Sequence, residues 1–260
     1  MNVVELTFLE GVFVFFMIGF SGFIDSIAGG GGLISVPTYL SIGLPPHFLL
    51  GTNKLVSTCG GTIAAFRYAR SGRIQWRVTG VAMASAFSGA LLGASMSGVH
   101  TSNSMTYLLL VIVPIMIFIN LIQDQKKRKT NIKKDLSSYQ YALRALSFGL
   151  LIGFYDGFYG PGTGSFLIMA FLFLIHLSMR DSAMNARLVN YCSNLAALIY
   201  FLSIGKVLWP VAAIAISGSA CGNALGAQFT LSRGEKVVRP LFYSVLLLLI
   251  GRCLYLIQGS

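Results

Sequence analysis

The chain has 260 residues, of which 55% are hydrophobic and only 10% charged, and it carries a net charge of +11. A soluble protein has about 25% charged residues, and a mean hydropathy of +0.74 excludes an ordinary water-soluble domain, as does the shortness of the longest polar stretch, Gln123 to Gln140. The positive charge sits in short loops between apolar runs, the pattern of the positive-inside rule, and this distribution argues against a nucleic-acid partner.

The N-terminus carries Glu5 and Glu10 without a basic residue, so the first apolar run reads as a retained span rather than a cleaved leader. Ten apolar segments follow, near 8–27, 33–44, 49–66, 78–98 and 105–122, then 141–159, 165–177, 185–203, 209–230 and 240–257. Most approach the roughly 20 residues that a hydrocarbon core about 30 Å thick requires. The second segment of each set is only about 18 Å long as a helix, a half-helix rather than a full crossing.

Each short segment follows a break that lipid does not tolerate unless protein or a water-filled cavity satisfies it. The first break is Asp25-Ser26-Ile27-Ala28-Gly29-Gly30-Gly31-Gly32, and the second is Asp156-Gly157-Phe158-Tyr159-Gly160-Pro161-Gly162-Thr163-Gly164-Ser165. Other features repeat at offsets of 131 to 133: Asn53 with Asn185, Gly72-Arg73 with Gly205-Lys206, and Gly89 and Gly93 with Gly222 and Gly226. The chain therefore divides into a first membrane repeat (1–122), a basic cytoplasmic linker (123–140) and a second repeat (141–260).

Sixteen of the 19 basic residues fall on one side if every segment reverses the chain. The Arg67/Arg70/Arg73/Arg77 loop of the first half is matched by a loop with Lys206 alone, and the uncharged loop 98–104 by one with Arg233, Lys236 and Arg239. This swap predicts an inverted repeat in an all-α polytopic membrane protein, each half with four long helices and one half-helix. It places the protein in the cytoplasmic (inner) membrane, with both termini extracytoplasmic. The lipid bilayer is an expected partner, and a homodimer is left open.

Discontinuous helices at matched places mark a transporter's binding site. Helix N-termini expose free amides and partial positive charge, which suits a small anion. The expected ligands are Gly29, Gly30, Gly31, Gly32 and Leu33 from one break, with Ile34 beyond them, and Gly162, Thr163, Gly164 and Ser165 from the other. Asn53 and Asn185 are expected to line the cavity, with Thr58, Asn190 and Asn194 as further candidates. Lys54 lies within a span, where a lysine either serves the pathway or snorkels to the surface. Arg187 is read as a cytoplasmic flank residue, with a substrate contact as the alternative. Asp25 and Asp156 either couple protons or hold the breaks by accepting amide bonds or pairing with a cation, and the structural role is favoured. The paired Gly89/Gly93 and Gly222/Gly226 read as helix-packing positions.

Cys59, Cys192, Cys221 and Cys253 lack paired spacing and are expected as small buried hydrophobes. The histidines His47, His100 and His176 share no spacing, so neither a metal site nor a cofactor is predicted. An intramembrane aspartyl enzyme would need a Gly-x-Gly-Asp partner for Tyr155-Asp156, and the chain has Gly162-Thr163-Gly164-Ser165 there; no enzyme is predicted, and a passive anion channel is the main alternative to a carrier.

The two glycine breaks, the Gly51-Thr52-Asn53-Lys54 element, the Gly72-Arg73-Ile74 turn and the duplicated layout resemble the sulfite exporter TauE/SafE family of membrane transporters along nearly the whole chain. The resemblance implies a secondary transporter of a small sulfur-containing anion, such as sulfite, sulfoacetate or a related sulfonate, working by alternating access.

Overall fold

The computed structural model describes residues 6–97 and 138–258, and among these the chain is helical and has no strand. The helices are α1 (Phe8–Ala28), α2 (Gly32–Ser41), α3 (Pro46–Ala69), α4 (Trp76–Met96), α5 (Ser138–Phe158), α6 (Thr163–Leu174), α7 (Met179–Ser203), α8 (Trp209–Arg233) and α9 (Glu235–Gln258). The expected span 105–122 and the linker up to residue 137 lie outside the described residues.

Local chemistry sets the helix ends. Thr7 and Glu10 form a capping box at the start of α1, with Thr7 N–H donating to the Glu10 carboxylate at 2.9 Å, which satisfies orphan amides there. α1 ends on Gly29, whose φ of 72° is left-handed, with its N–H on the Asp25 carbonyl; an L side chain resists that conformation. α5 starts at Ser138, inside the expected linker. α7 starts at Met179 rather than near 185, because the Ser178 hydroxyl caps it by accepting from Asp181 N–H at 3.1 Å. This second correction brings Arg180 and Arg187 into the helix and out of the loop.

α3 and α7 form the centre of the bundle and run in opposite directions. At one end Leu208 N–H, just past α7, donates to Thr52 Oγ1 near the start of α3 at 3.0 Å. At the other end Arg73, past the end of α3, pairs with Asp181 in the first turn of α7 at 3.2 Å. α1 and α8 pack together on the α3 side, and α4 and α5 pack together against α7.

Those two flanking pairs make the same contacts. A Cβ placed on Gly89 or Gly93 of α4 would run into the Leu150 or Phe154 carbonyl of α5, and one on Gly222 or Gly226 of α8 would meet the Gly19 or Phe23 carbonyl of α1. Leu150 and Phe154 stand 131 residues after Gly19 and Phe23, and Gly222 and Gly226 stand 133 after Gly89 and Gly93. Each half thus supplies one helix to either seam, and small residues let the backbones approach.

Large apolar side chains, among them Phe16, Phe20, Leu92, Leu151, Leu225 and Leu247, point outward, while Asn53, Lys54, Asp156, Asn185 and Arg187 are buried. This inside-out arrangement belongs to a membrane protein, and α1, α4 and α8 are long and apolar enough to cross one. The cysteine expectation is corrected for three of the four: Cys59 and Cys221 are on the exposed surface and Cys192 is half-buried, because each sits on an outward helical face, while the Cys253 side chain lies outside those described. One end of the bundle gathers cations: Arg67 donates to the Ala224 carbonyl at 2.6 Å, Arg144 to the Leu174 carbonyl at 2.8 Å, and Arg180 to the Leu231 carbonyl. Lys206 stands at the opposite end, over the Phe48 ring at 5.8 Å.

Candidate functional site

The two glycine breaks touch. A Cβ on Gly29 would overlap the Gly164 backbone, and one on Gly164 would overlap Gly29. Ser165 fastens the contact twice: its N–H donates to the Gly29 carbonyl at 3.2 Å and its hydroxyl to the Ala28 carbonyl at 2.8 Å. Gly162, at φ 88°, turns the chain into α6, a left-handed position suited to glycine.

Four charges, three buried and Asp25 partly so, surround this junction in two crossed pairs. Lys54 of α3 meets Asp156 at the end of α5, with Nζ to Oδ1 at 2.8 Å and both side chains 2% exposed. Arg187 of α7 meets Asp25 at the end of α1, with the guanidinium 3% exposed. Lys54 and Arg187 stand 133 residues apart, Asp25 and Asp156 131 apart, so each half provides the cation for the other half's acid. Further bonds hold each carboxylate: Gly31 N–H donates to Asp25 Oδ1 at 3.2 Å, and the Ser193 hydroxyl donates to Asp156 Oδ2 at 2.7 Å. Arg187 also reaches Asn223 Oδ1 at 2.8 Å.

Between the pairs lies a cavity of about 20 Å³, walled by Asp25, Gly29, Gly32, Asn53, Lys54, Ser57, Asp156, Gly160, Gly162, Thr163, Gly164, Asn190 and Asn194. A second, also about 20 Å³, adjoins it across Asp25, Gly32, Asn53 and Ser57 and extends to Gly31, Ser35, Ser219 and Asn223. Each has room for about one water, less than a four-atom oxyanion needs.

Of the residues expected from the sequence, the structure gathers Gly29, Gly32, Asn53, Lys54, Gly162, Thr163 and Gly164 around the first cavity, with Asp25 and Asp156, and puts Gly31 on the second. Four others are placed differently. Gly30 packs on Val245 of α9. Leu33 sits against the apolar core, its N–H on the Gly30 carbonyl. Ser165 is used in joining the breaks. Asn185 clasps the α3–α4 turn instead of lining the cavity, its Oδ1 accepting from Gln75 N–H at 2.9 Å and Thr79 Oγ1 at 2.6 Å. Several amides expected for an anion already have protein acceptors: Gly31, Leu33 and Ile34 on one side, Thr163 and Ser165 on the other. Thr58 is buried but does not line either cavity.

One of the two alternatives for Lys54 falls, and the flank reading of Arg187 is overturned. Lys54 does not snorkel, because Asp156 holds it inside. Arg187 is not a flank residue, since it lies roughly two turns into α7, bound to Asp25 and Asn223. Ser57, Asn190 and Asn194 share helical faces with the charged residues: Ser57 lies three residues after Lys54, Asn190 three after Arg187, and Asn194 four after Asn190. That i, i+3/i+4 spacing is the sequence signal for them. Ser193, three residues after Asn190, shares that spacing, whereas Asn223 carries no comparable signal.

Broken helices around buried paired charges, within an apolar-faced bundle, are the construction of a membrane transporter. The chain belongs to the family described as "Sulfite exporter TauE/SafE", whose profile matches residues 14–253. A "Probable membrane transporter protein" of Haemophilus influenzae is 33% identical over 251 residues, covering 93% of this chain and 94% of that protein. "Probable membrane transporter protein YfcA" of Escherichia coli K12 is 33% identical over 248 residues, 95% of this chain and 90% of that one. "Probable membrane transporter protein YdhB" of Bacillus subtilis is 27% identical over 246 residues, 94% and 95%. No solved structure matches.

Proposed function

We propose that this membrane transporter is a secondary carrier of a small anion, a sulfur-containing oxyanion or sulfonate of the sulfite or sulfoacetate kind, bound in the cavity between the glycine breaks. The observation that carries this reading is the buried ammonium of Lys54 on the same wall as the starts of α2 and α6. The helix starts add partial positive charge, and the side-chain amide of Asn190, whose Oδ1 accepts from Asn194 at 2.9 Å, adds donor capacity. The family's printed description supports sulfite as the first anion to try.

The carrier works by alternating access between two inverted halves. Support comes from the antiparallel α3 and α7, from the matched seams and from the crossed ion pairs. A cavity of about 20 Å³ favours a carrier in a closed state over a permanently open channel. The pairing of each carboxylate with a cation, rather than with the other carboxylate, disfavours an aspartyl enzyme. The cation-rich end faces the cytoplasm across the cytoplasmic membrane, leaving both termini outside.

Purified protein in liposomes tests the substrate class by counterflow with sulfite, thiosulfate, sulfonates, sulfate and carboxylates. The reading expects saturable exchange for the small sulfur anions. Exchange of carboxylates alone, or of none of the panel, overturns it.

A further inference from the structure

The candidate anion site is already neutral before an anion arrives. Lys54 is matched by Asp156 and Arg187 by Asp25. A monovalent anion that takes over the Lys54 ammonium leaves the Asp156 carboxylate buried without its cation. Such a group neutralises by taking a proton rather than remain charged in a low-dielectric site. The chemistry of anion capture therefore calls for a proton.

The two acids differ in what holds them. Asp25 accepts from the fixed backbone N–H of Gly31 at 3.2 Å, and its partner Arg187 is braced by Asn223 at 2.8 Å. Asp156 accepts only from mobile side-chain groups among the bonds described, the Lys54 ammonium at 2.8 Å and the Ser193 hydroxyl at 2.7 Å. That hydroxyl also reaches the Asn190 carbonyl at 3.0 Å, so it can turn away and accept instead of donate.

The other groups around Asp156 bring little competing charge. Across the cavity α1 contributes Asp25, while α7 contributes Ser193, Asn190 and Asn194, and α6 its starting glycines. The packed face of α4 offers Ala86, Gly89, Ala90 and Gly93. On α5 itself the Tyr155 hydroxyl donates to the Pro161 carbonyl at 2.6 Å, and Tyr159 is the other neighbouring phenol.

We propose that Asp156 is the proton carrier of this transporter, so that one proton crosses with each monovalent anion. The proton comes from the side on which the anion enters and leaves when Lys54 returns to the carboxylate; Asp25 keeps its charge and holds the first break. The inference rests on the anion-transport reading of the same cavity.

The test uses the full chain in liposomes with labelled sulfite and labelled isethionate. Isethionate stays ionised at every working pH, so its pH response belongs to the protein. Wild type is expected to accumulate isethionate by up to about tenfold per unit of inward proton gradient, with no response to a potassium–valinomycin potential. Asp156→Asn is expected to abolish this gradient-driven accumulation while slower counterflow at equal pH remains, and Glu235→Gln, an exposed acid outside the cavity, to retain the gradient response. Accumulation that follows voltage instead of pH in wild type overturns the inference, and so does a retained gradient response in Asp156→Asn. If Asp156→Asn does not insert, the Lys54→Gln/Asp156→Asn variant, which strands no charge, takes its place, and a gradient response retained there overturns the inference. Absence of counterflow for both probes at equal pH counts against the underlying anion-transport reading instead.

Discussion

Lys54 and Asp156 meet at 2.8 Å with each side chain 2% exposed, and the reciprocal contact joins Arg187 to Asp25. Each acid ends the helix that leads into a glycine break, and each cation comes from the opposite half of the sequence. Breaking such a buried pair strands a charge and costs about 3–5 kcal/mol, while removing both partners is far milder. Lys54→Met and Asp156→Asn should each lower the thermal midpoint in detergent strongly, and the double variant should recover most of the loss. Equal or additive losses would remove the pair from the account.

Arg187 gives a second contrast. Arg187→Ala should cost stability on a similar scale of about 3–5 kcal/mol, whereas Arg233→Ala should change it by less than about 0.5 kcal/mol, as surface substitutions do. Arg187→Lys should recover only part, because lysine lacks the fork that reaches Asp25 and Asn223 together. A neutral Arg187→Ala, measured by thermal unfolding, would return Arg187 to the flank.

The helix seams make a steric prediction. Gly93→Leu and Gly222→Leu each force a side chain into a facing carbonyl and should reduce folded yield sharply, overpacking costing typically about 1–3 kcal/mol or more. Gly80→Leu is the control, since a Cβ there meets nothing within 4 Å. Size-exclusion recovery after heating measures the difference; similar recoveries for all three would contradict the packing.

Asn185 and Asn190 separate scaffold from cavity. Asn185→Ala should leave Gln75 and Thr79 without their acceptor and cost about 1–3 kcal/mol, with little effect on substrate affinity. Asn190→Ala should instead raise the apparent KM for anion counterflow. Kinetics alongside unfolding distinguish the two, and a reversed pattern would exchange their roles.

Much of this was legible in the sequence, for physical reasons. Asp25, Asp156 and the glycines after them violate the rules of an apolar run, so they stand out. Lys54 stood out likewise, but its partner did not, because pairing across halves is fixed only by tertiary contact. Arg187 was misread for two reasons. Counting basic residues near span ends placed it in a loop, and matching Asn53 to Asn185 at an offset of 132 obscured the offset of 133 that joins Lys54 to Arg187. Asn185 was misplaced by helical phase: five residues from Asn190 is roughly 140° around the helix, which turns it toward α4. The amides of Gly31, Leu33, Ile34, Thr163 and Ser165 looked free because a sequence does not reveal their acceptors: the Asp25 carboxylate for Gly31, carbonyls within the same break for Leu33, Ile34 and Thr163, and the Gly29 carbonyl of the other break for Ser165.

Direct binding of labelled sulfite and isethionate to the purified protein, compared between wild type and the Lys54→Gln/Asp156→Asn variant, bears most closely on the claim that the junction of the two breaks is the anion site. The double change removes the ammonium without stranding a carboxylate. Saturable binding in wild type, weakened at least about tenfold in a folded variant, corresponding to about 1.4 kcal/mol, is the predicted result. Binding of equal strength in both proteins, or no saturable binding to wild type, would contradict it.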